Sequence, residues 1–320
     1  MTRTPQTTEV QTHRVGFIGL GLLGLPMAMR LVHCGFDVVA WNREPDRSAQ
    51  LQATGGWPAA SPAQVAEHCD IICLCVLDHA AVEAVVFGPA GIAKACSRRK
   101  RVVVDFSTLT PAQAVDIAQR AQAFNIEWLD APVSGGPCAA QTGELTVMVG
   151  GQADALQMVK PVIDAVAKLT THVGDVGSGQ AMKAVNQALV GGSFVLLAEA
   201  LALTRELGLD PDMVPACLAG GMADSKALQR VWPKMASESF SPPTGRAAQL
   251  LKDLENIEAM RLDASLGLPV LKTATAQYRQ FVRRGHGNDE TISIARMYTL
   301  GPDSRIPLET SGSTHQGSLK

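Results

Sequence analysis

Lys183 is the residue whose setting most invites chemistry. It stands among Ala181, Met182, Ala184 and Val185, with Asn186 and Gln187 three and four positions on, on the same helical face. An ammonium held amid apolar neighbours would be partly desolvated, and its pKa lowered toward use as an acid or base. The same spacing also describes a surface lysine reaching for solvent, and spacing alone favours that plainer reading. A second candidate is the loop Gly19-Leu20-Gly21-Leu22-Leu23-Gly24. It follows the apolar run Val15–Ile18 and precedes the helical pattern of Met27, Leu31 and Val32. Strand, glycine turn and helix in this order suit a dinucleotide: Gly19 for the tight turn, Gly21 for close approach to a pyrophosphate, Gly24 for helix packing. The helix N-terminus adds free N–H groups and a partial positive charge.

The next strand, Phe36–Trp41, ends at Asn42-Arg43. An acidic residue here, about 20 residues past the first glycine, would bind the ribose hydroxyls of NAD. Asn42 removes that carboxylate, and Arg43 offers a planar cation to a 2′-phosphate, so NADP(H) is expected in preference to NAD(H). Glu44 beside it works against a phosphate, and Arg47 offsets it.

The elements that must position these residues follow in order. Ser61-Pro62-Ala-Gln64 and Thr110-Pro111-Ala-Gln113 each carry a helix-start signature. Between them lie the strand Ile71–Leu77, a helix from Ala80 to Phe87 and the strand Val102–Asp105. This alternation predicts a doubly wound parallel sheet. Val76-Leu77-Asp78 and Phe106-Ser107-Thr108 then fall at its carboxyl edge, where ligands bind; Ser107 and Thr108 suit hydrogen bonds to cofactor or substrate, or a plain turn. Ser134-Gly135-Gly136 is a turn whose hydroxyl and N–H groups could cradle a carboxylate. A further strand runs between Gly143 and Gly151, and the composition changes at Gly174–Gly179. Beyond it the pattern is helical: 180–207, 211–218, 223–232, 246–266, 269–284 and 290–298. The expected architecture is α/β: an N-terminal Rossmann-type sheet over 13–176, then an all-α domain over 177–300 entered by a long helix. Polar tails are expected at 1–12 and 301–320.

Composition bounds the rest. Twenty-eight Lys plus Arg against 30 Asp plus Glu give a net charge of −2, which offers no basic field for nucleic acid. The N-terminus shows no apolar signal segment, and the apolar stretch Ala188–Leu203 is too short to span a bilayer and reads as a buried helix. A cytoplasmic protein without a membrane partner is expected. The seven cysteines form no C-x-x-C, and the seven histidines no H-E-x-x-H, so free core thiols and no metal are expected.

Four stretches resemble, in order, the signatures of the β-hydroxyacid dehydrogenase family: Gly-Phe-Ile-Gly-Leu-Gly-x-x-Gly-x-Pro-Met-Ala from Gly16, Asp130-Ala-Pro-Val-Ser-Gly-Gly136, Gly177-Ser-Gly-Gln-Ala-Met-Lys183-Ala-Val-Asn186-Gln187, and Lys252-Asp253-Leu254. The resemblance covers 14–300 and reverses the reading of Lys183. It implies that Lys183 is the general acid/base, that Ser134, Gly135 and Gly136 bind the substrate carboxylate, and that Asn186 and Gln187 hold substrate. It implies that Lys252 reaches the cleft near the nicotinamide and that Ser107-Thr108 lies by the ring; Val76 and Leu77, at the carboxyl edge, are expected to bind the cofactor. Asn42-Arg43 looks like the pair of NADP-preferring members, which usually follow it with Ser or Thr rather than Glu44. Relatives commonly carry Leu-Pro where this chain has Val76-Leu77-Asp78. The reaction implied is hydride transfer between nicotinamide and a small β-hydroxyacid or its semialdehyde. Tartronate semialdehyde (2-hydroxy-3-oxopropionate) is the first substrate expected, with 3-hydroxyisobutyrate as the alternative and threonate or 3-hydroxypropionate behind. Imine reductases carry another residue at the lysine position, and 6-phosphogluconate dehydrogenase needs a longer helical half. A silent cofactor-binding scaffold would be a relative that has lost Lys183. Family members associate through the helical domain, which implies a homodimer or homotetramer.

Overall fold

The computed structural model describes residues 14–96, 99–260 and 266–299; the two expected tails lie outside them. The chain forms two compact units. The first holds the described residues up to Gly192 together with Pro242–Thr291; the second holds Ser193–Ser241 and the described residues from Ile292. This division does not follow the compositional change at 176/177, because the helix that begins there gives its first turns to the first unit.

Among the described residues, nine strands make one sheet in the first unit, in the order β3-β2-β1-β4-β5-β6-β8-β7, with β9 on β8. The parallel half comprises β1 (Arg14–Ile18), β2 (Asp37–Trp41), β3 (Trp57–Pro58), β4 (Ile71–Leu74), β5 (Arg101–Asp105) and β6 (Ile126–Asp130). Helices cover both faces, which is why β5 is buried at every residue and reads as a run of valines. Phe17 faces one layer with α1 (Gly24–His33) and α7 (Ala153–Val166). Ile18, its neighbour, faces the other with α3 (Pro62–His68), α4 (His79–Phe87) and α5 (Pro111–Gln122). Each such side chain, fully buried, contributes about 1.5–3 kcal/mol. The strand order reverses between β1 and β4, the switch point at whose carboxyl edge ligands bind.

Both helix-start signatures do what they predict. Ser61 Oγ accepts the Gln64 N–H at 3.1 Å, and Thr110 with Gln113 forms a reciprocal capping box at the head of α5. The apolar run to Leu77 predicts a longer β4, but the ladder ends at Leu74: the Val76 N–H turns to Ser107 Oγ, 3.0 Å away. Beyond β6 the chain adds β7 (Val133–Ser134), α6 (Gly136–Thr142), α2 having filled the earlier gap at Pro45–Gln52, and the antiparallel β8 (Leu145–Gly150). The last strand, β9 (Ala167–Gly174), follows α7 directly, and no strand is expected there from the sequence.

The long helix α8 spans Ser178–Glu206. Its early turns pack on α11 (Ala247–Glu258); a Cβ at Gly191 would lie 2.8 Å from Leu254, so glycine permits the close approach. Helix α12 (Pro269–Phe281) packs on α11 and buries Tyr278, whose hydroxyl donates to Thr291 O. In the second unit α9 (Val214–Leu218), α10 (Lys226–Ala236) and α13 (Arg296–Thr299) accompany the rest of α8, and Trp232 Nε1 donates to Pro211 O at 2.8 Å.

The expectation that Ala188–Leu203 is a buried helix is corrected. The helix runs on beyond that stretch at both ends to 29 residues, long and apolar enough by length and composition to cross a membrane, and only 28% of its most apolar window is buried. Met182, Val185 and Leu189 are exposed on its first half, Leu196 and Leu203 on its second. Its first turns are nonetheless tied to the sheet through buried polar groups, described next.

Candidate active site

The glycine loop lies at the switch point and its three glycines differ in purpose. Gly19 has φ +96°, and a Cβ there would strike the Cys75 carbonyl. A Cβ on Gly24 would strike Gly19 O, whereas Gly21 has nothing within 4 Å. Gly21 is therefore an open cradle that any side chain would fill, the feature a pyrophosphate needs. Leu20 turns its side chain into the core and donates its N–H to Asn42 Oδ1 at 2.8 Å. Leu22 is half-buried, and Leu23 stands at the N-cap of α1. Asn42 thus braces the loop, and its amide also donates to Glu44 O and Oε2, each at 3.0 Å. Arg43 stands 86% exposed and pairs with Glu44 Oε1 at 3.0 Å, which holds the Glu44 carboxyl below its ordinary pKa. Trp41, Asn42, Arg43, Ser48 and Ala60 line a cleft of about 380 Å³ at this end. The open cradle and the cation at the cleft rim fit a dinucleotide.

At the other end Lys183 is 7% exposed. Its Nζ donates to Val133 O at 2.8 Å and to Gln187 Oε1 at 2.9 Å. Burial lowers its pKa to about 8; Asp253 acts in the opposite sense and Lys252 adds to the lowering. Asn186 Nδ2 donates to the same Gln187 oxygen at 2.7 Å, and Gln187 Nε2 donates to Asp253 Oδ2 at 2.6 Å. Val133 leads into Ser134, Gly135 and Gly136, the last two with φ of +133° and +73°; a Cβ on Gly136 would meet nothing within 4 Å. Lys252 Nζ donates to Leu77 O at 3.0 Å and Thr108 O at 3.1 Å and lies 3.1 Å from Asp253 Oδ1. Ser107 Oγ is taken by the Val76 N–H. Lysine, amides, glycine turn and the loops after β4 and β5 are therefore brought together, with Lys252 and Ser107 engaged in stitching those loops.

Residues 14–174 match the family of the NAD-binding domain of 6-phosphogluconate dehydrogenase, and residues 177–298 match the family described as NAD-binding of NADP-dependent 3-hydroxyisobutyrate dehydrogenase. The chain is 36% identical over 264 residues to the 2-hydroxy-3-oxopropionate reductase of Escherichia coli K12, covering 82% of this chain and 89% of that one. It is 32% identical over 287 residues to the 2-(hydroxymethyl)glutarate dehydrogenase of Eubacterium barkeri, covering 89% and 94%. A solved structure of 3-hydroxyisobutyrate dehydrogenase from Salmonella typhimurium superposes with a TM-score of 0.80 at 28% identity, covering 89% of this chain and 99% of that one. The chain belongs to the β-hydroxyacid dehydrogenase family. It is an NAD(P)-dependent oxidoreductase of hydroxyacids.

Four residues of this dehydrogenase's site were not singled out from the sequence. Asp105 and Asp130 end adjacent parallel strands, in register with each other. Asp105 accepts the Ser107 N–H at 2.9 Å, and burial raises its pKa to about 6. Asp130 accepts from Gly177 and Gln180. Gln180 holds Ser107 O and the Leu109 N–H. Asp253 bridges Gln187 and Lys252. The available signal was a carboxylate closing an apolar strand, twice, just before a turn.

Proposed function

We propose that this dehydrogenase reduces tartronate semialdehyde with NADPH, using Lys183 as general acid. The observation that carries the reading is the Lys183 ammonium, buried beside the Ser134-Gly135-Gly136 turn with a pKa lowered to about 8. Two of its three N–H donors are held by Val133 O and Gln187 Oε1, leaving the third for a substrate oxygen. When bound, the nicotinamide supplies the hydride to the carbonyl carbon. Lys183 donates its proton to the carbonyl oxygen as charge develops there, and regains one from solvent. Ser134 and the N–H groups of Gly135 and Gly136 hold the carboxylate, while Asn186 and Gln187 orient the hydroxyl-bearing carbon. In the oxidative direction neutral Lys183 takes the hydroxyl proton.

The substrate rests on the relative of that activity at 36% identity. A second reading, 3-hydroxyisobutyrate and its semialdehyde, is favoured by the match over 177–298. NADP(H) over NAD(H) rests on Arg43 at the cleft rim and on the absence of a carboxylate at Asn42. Free thiols at all seven cysteines suit a cytoplasmic location. The exposed Met182, Val185, Leu189, Leu196 and Leu203 on α8 suit a homodimer or homotetramer, which a monomeric mass in solution would refute.

The test is a matrix of initial rates: NADPH or NADH with tartronate semialdehyde or methylmalonate semialdehyde, and the reverse with glycerate or 3-hydroxyisobutyrate. Fastest turnover with NADPH and tartronate semialdehyde is expected. A preference for methylmalonate semialdehyde selects the second reading, and silence with cofactor bound rejects both.

A further inference from the structure

We propose that Asp130 is a positioning residue that sets the register of the Lys183 helix against the Ser134-Gly135-Gly136 turn. The proposal rests on the reading of Lys183 as the proton donor. Helix α8 begins with N–H groups that have no partner within the helix. Asp130 Oδ1 accepts from Gly177 N–H at 2.7 Å and Oδ2 from Gln180 N–H at 2.8 Å, so a strand-end carboxylate caps the helix across nearly fifty residues of chain. Its negative charge also complements the helix N-terminus.

The surroundings are shaped to this contact. A Cβ at Gly150 would lie 2.5 Å from Asp130 Oδ1, and one at Gly179 would lie 2.9 Å from Oδ2 and 2.6 Å from the Asp130 carbonyl. Gly177 has φ +94°. Glycines on three sides let the strand end and the helix start come this close. Three residues beyond Asp130, Val133 O receives the Lys183 ammonium. The segment 130–136 therefore grips α8 twice, at its first turn and at the lysine, before it forms the glycine turn. Gln180 extends the grip: its N–H is on Asp130 while its side chain holds Ser107 O at 2.9 Å and the Leu109 N–H at 3.0 Å. One carboxylate thus fixes helix, lysine and two loops in a single register.

Asp130→Asn keeps the size but turns an NH2 group toward one of the two N–H donors, which breaks half of the clamp. Two charged groups face Lys183 from α11, Asp253 and Lys252, and neither is altered. The sign of the effect separates mechanisms. Loss of the carboxylate charge alone would move the Lys183 pKa down, whereas a released helix lets water reach the ammonium and moves it up. The experiment is competitive acetylation of Lys183 across pH, read by mass spectrometry on the full chain, alongside kcat and cofactor binding. In Asp130→Asn the titration is expected to rise by about one unit toward the ordinary lysine value, with kcat down roughly 10–100-fold and cofactor affinity within about twofold. Asp130→Glu, which keeps the charge but lengthens the arm, should show the same upward sense. If Asp130→Asn does not fold, Asp130→Glu carries the readout by itself. An unchanged or lowered Lys183 titration overturns the proposal even if stability falls. The lysine reading fails separately, if Lys183→Ala keeps turnover.

Discussion

At the glycine loop the groups that would meet a ligand are backbone, and they stand open. A Cβ on Gly21 would meet nothing within 4 Å, and Arg43, after the next strand, is 86% exposed. At Lys183 the groups are side chains, buried or half-buried and already bonded to one another through Gln187, Asp253 and Lys252. Carboxylates mark the contrast. Glu44 at the open end is held below its ordinary pKa by Arg43, while Asp105 at the closed end is pushed up to about 6 by burial. A cradle for phosphates works in water because its donors are fixed by the chain path. A proton donor near neutral pH needs water excluded, and therefore needs a surrounding network.

The largest test of that contrast is Lys183→Ala. Turnover should fall by roughly 10²–10⁴, the scale of general acid/base catalysis, while cofactor binding stays intact because the open end is untouched. Near-normal kcat would remove the lysine from the chemistry, and parallel loss of cofactor affinity would show that the two ends are not separable.

Asp105→Asn comes next in size. A raised carboxyl pKa means that the folded state prefers the protonated form, so this residue's contribution is fully present below its unfolded pKa. It is lost as pH rises through about 6. Asparagine keeps an acceptor for the Ser107 N–H and never ionises. The variant should be more stable than the parent above pH 7, by something on the order of 2–3 kcal/mol, with the gap closing below pH 4. Thermal unfolding across pH measures it; a constant offset between the two curves would mean that Asp105 does not titrate in the fold.

How much of this was legible follows the same divide. The glycine loop, the Ser61 and Thr110 caps and the alternation of strand and helix rest on neighbours within a few residues, and their spacing predicts them. Lys183 is different: its own spacing favours a surface residue, and only the ordered stretches resembling a family reversed that. Asp130 was invisible as a clamp because its partners, Gly177 and Gln180, lie far along the chain and meet it only once the sheet closes. Strand β9 is not legible because it follows Val166 without a turn and exposes consecutive pairs, Lys168-Leu169 and Thr171-His172, rather than alternating in and out. The apolar run on α8 reads as core by composition, yet Leu189 and Leu196 are exposed; hydrophobicity says that a surface wants covering and not what covers it.

The pH dependence of the rate sharpens the lysine end further. With a pKa of about 8, Lys183 is charged below that pH and can donate, and is neutral above it and can accept. Reduction should be flat at lower pH and fall about tenfold per unit above 8, and oxidation should show the mirror limb. Limbs of the same sense in both directions would assign the ionisation to some other group.

The smallest effect belongs to the open end. Glu44→Gln removes the carboxylate that now occupies Arg43 and leaves its Asn42 contact to the amide. The pair is exposed and screened by solvent, so the gain in NADPH affinity should be small, within a few-fold, with NADH scarcely changed. The gain should shrink at high salt, since both the pair and the phosphate contact are screened. Arg43→Ala should act in the opposite sense on NADPH and also spare NADH. Equal changes for both cofactors in the two variants would show that Arg43 does not meet a 2′-phosphate, and that Asn42 is present for the bond it makes to the Leu20 N–H rather than for cofactor choice.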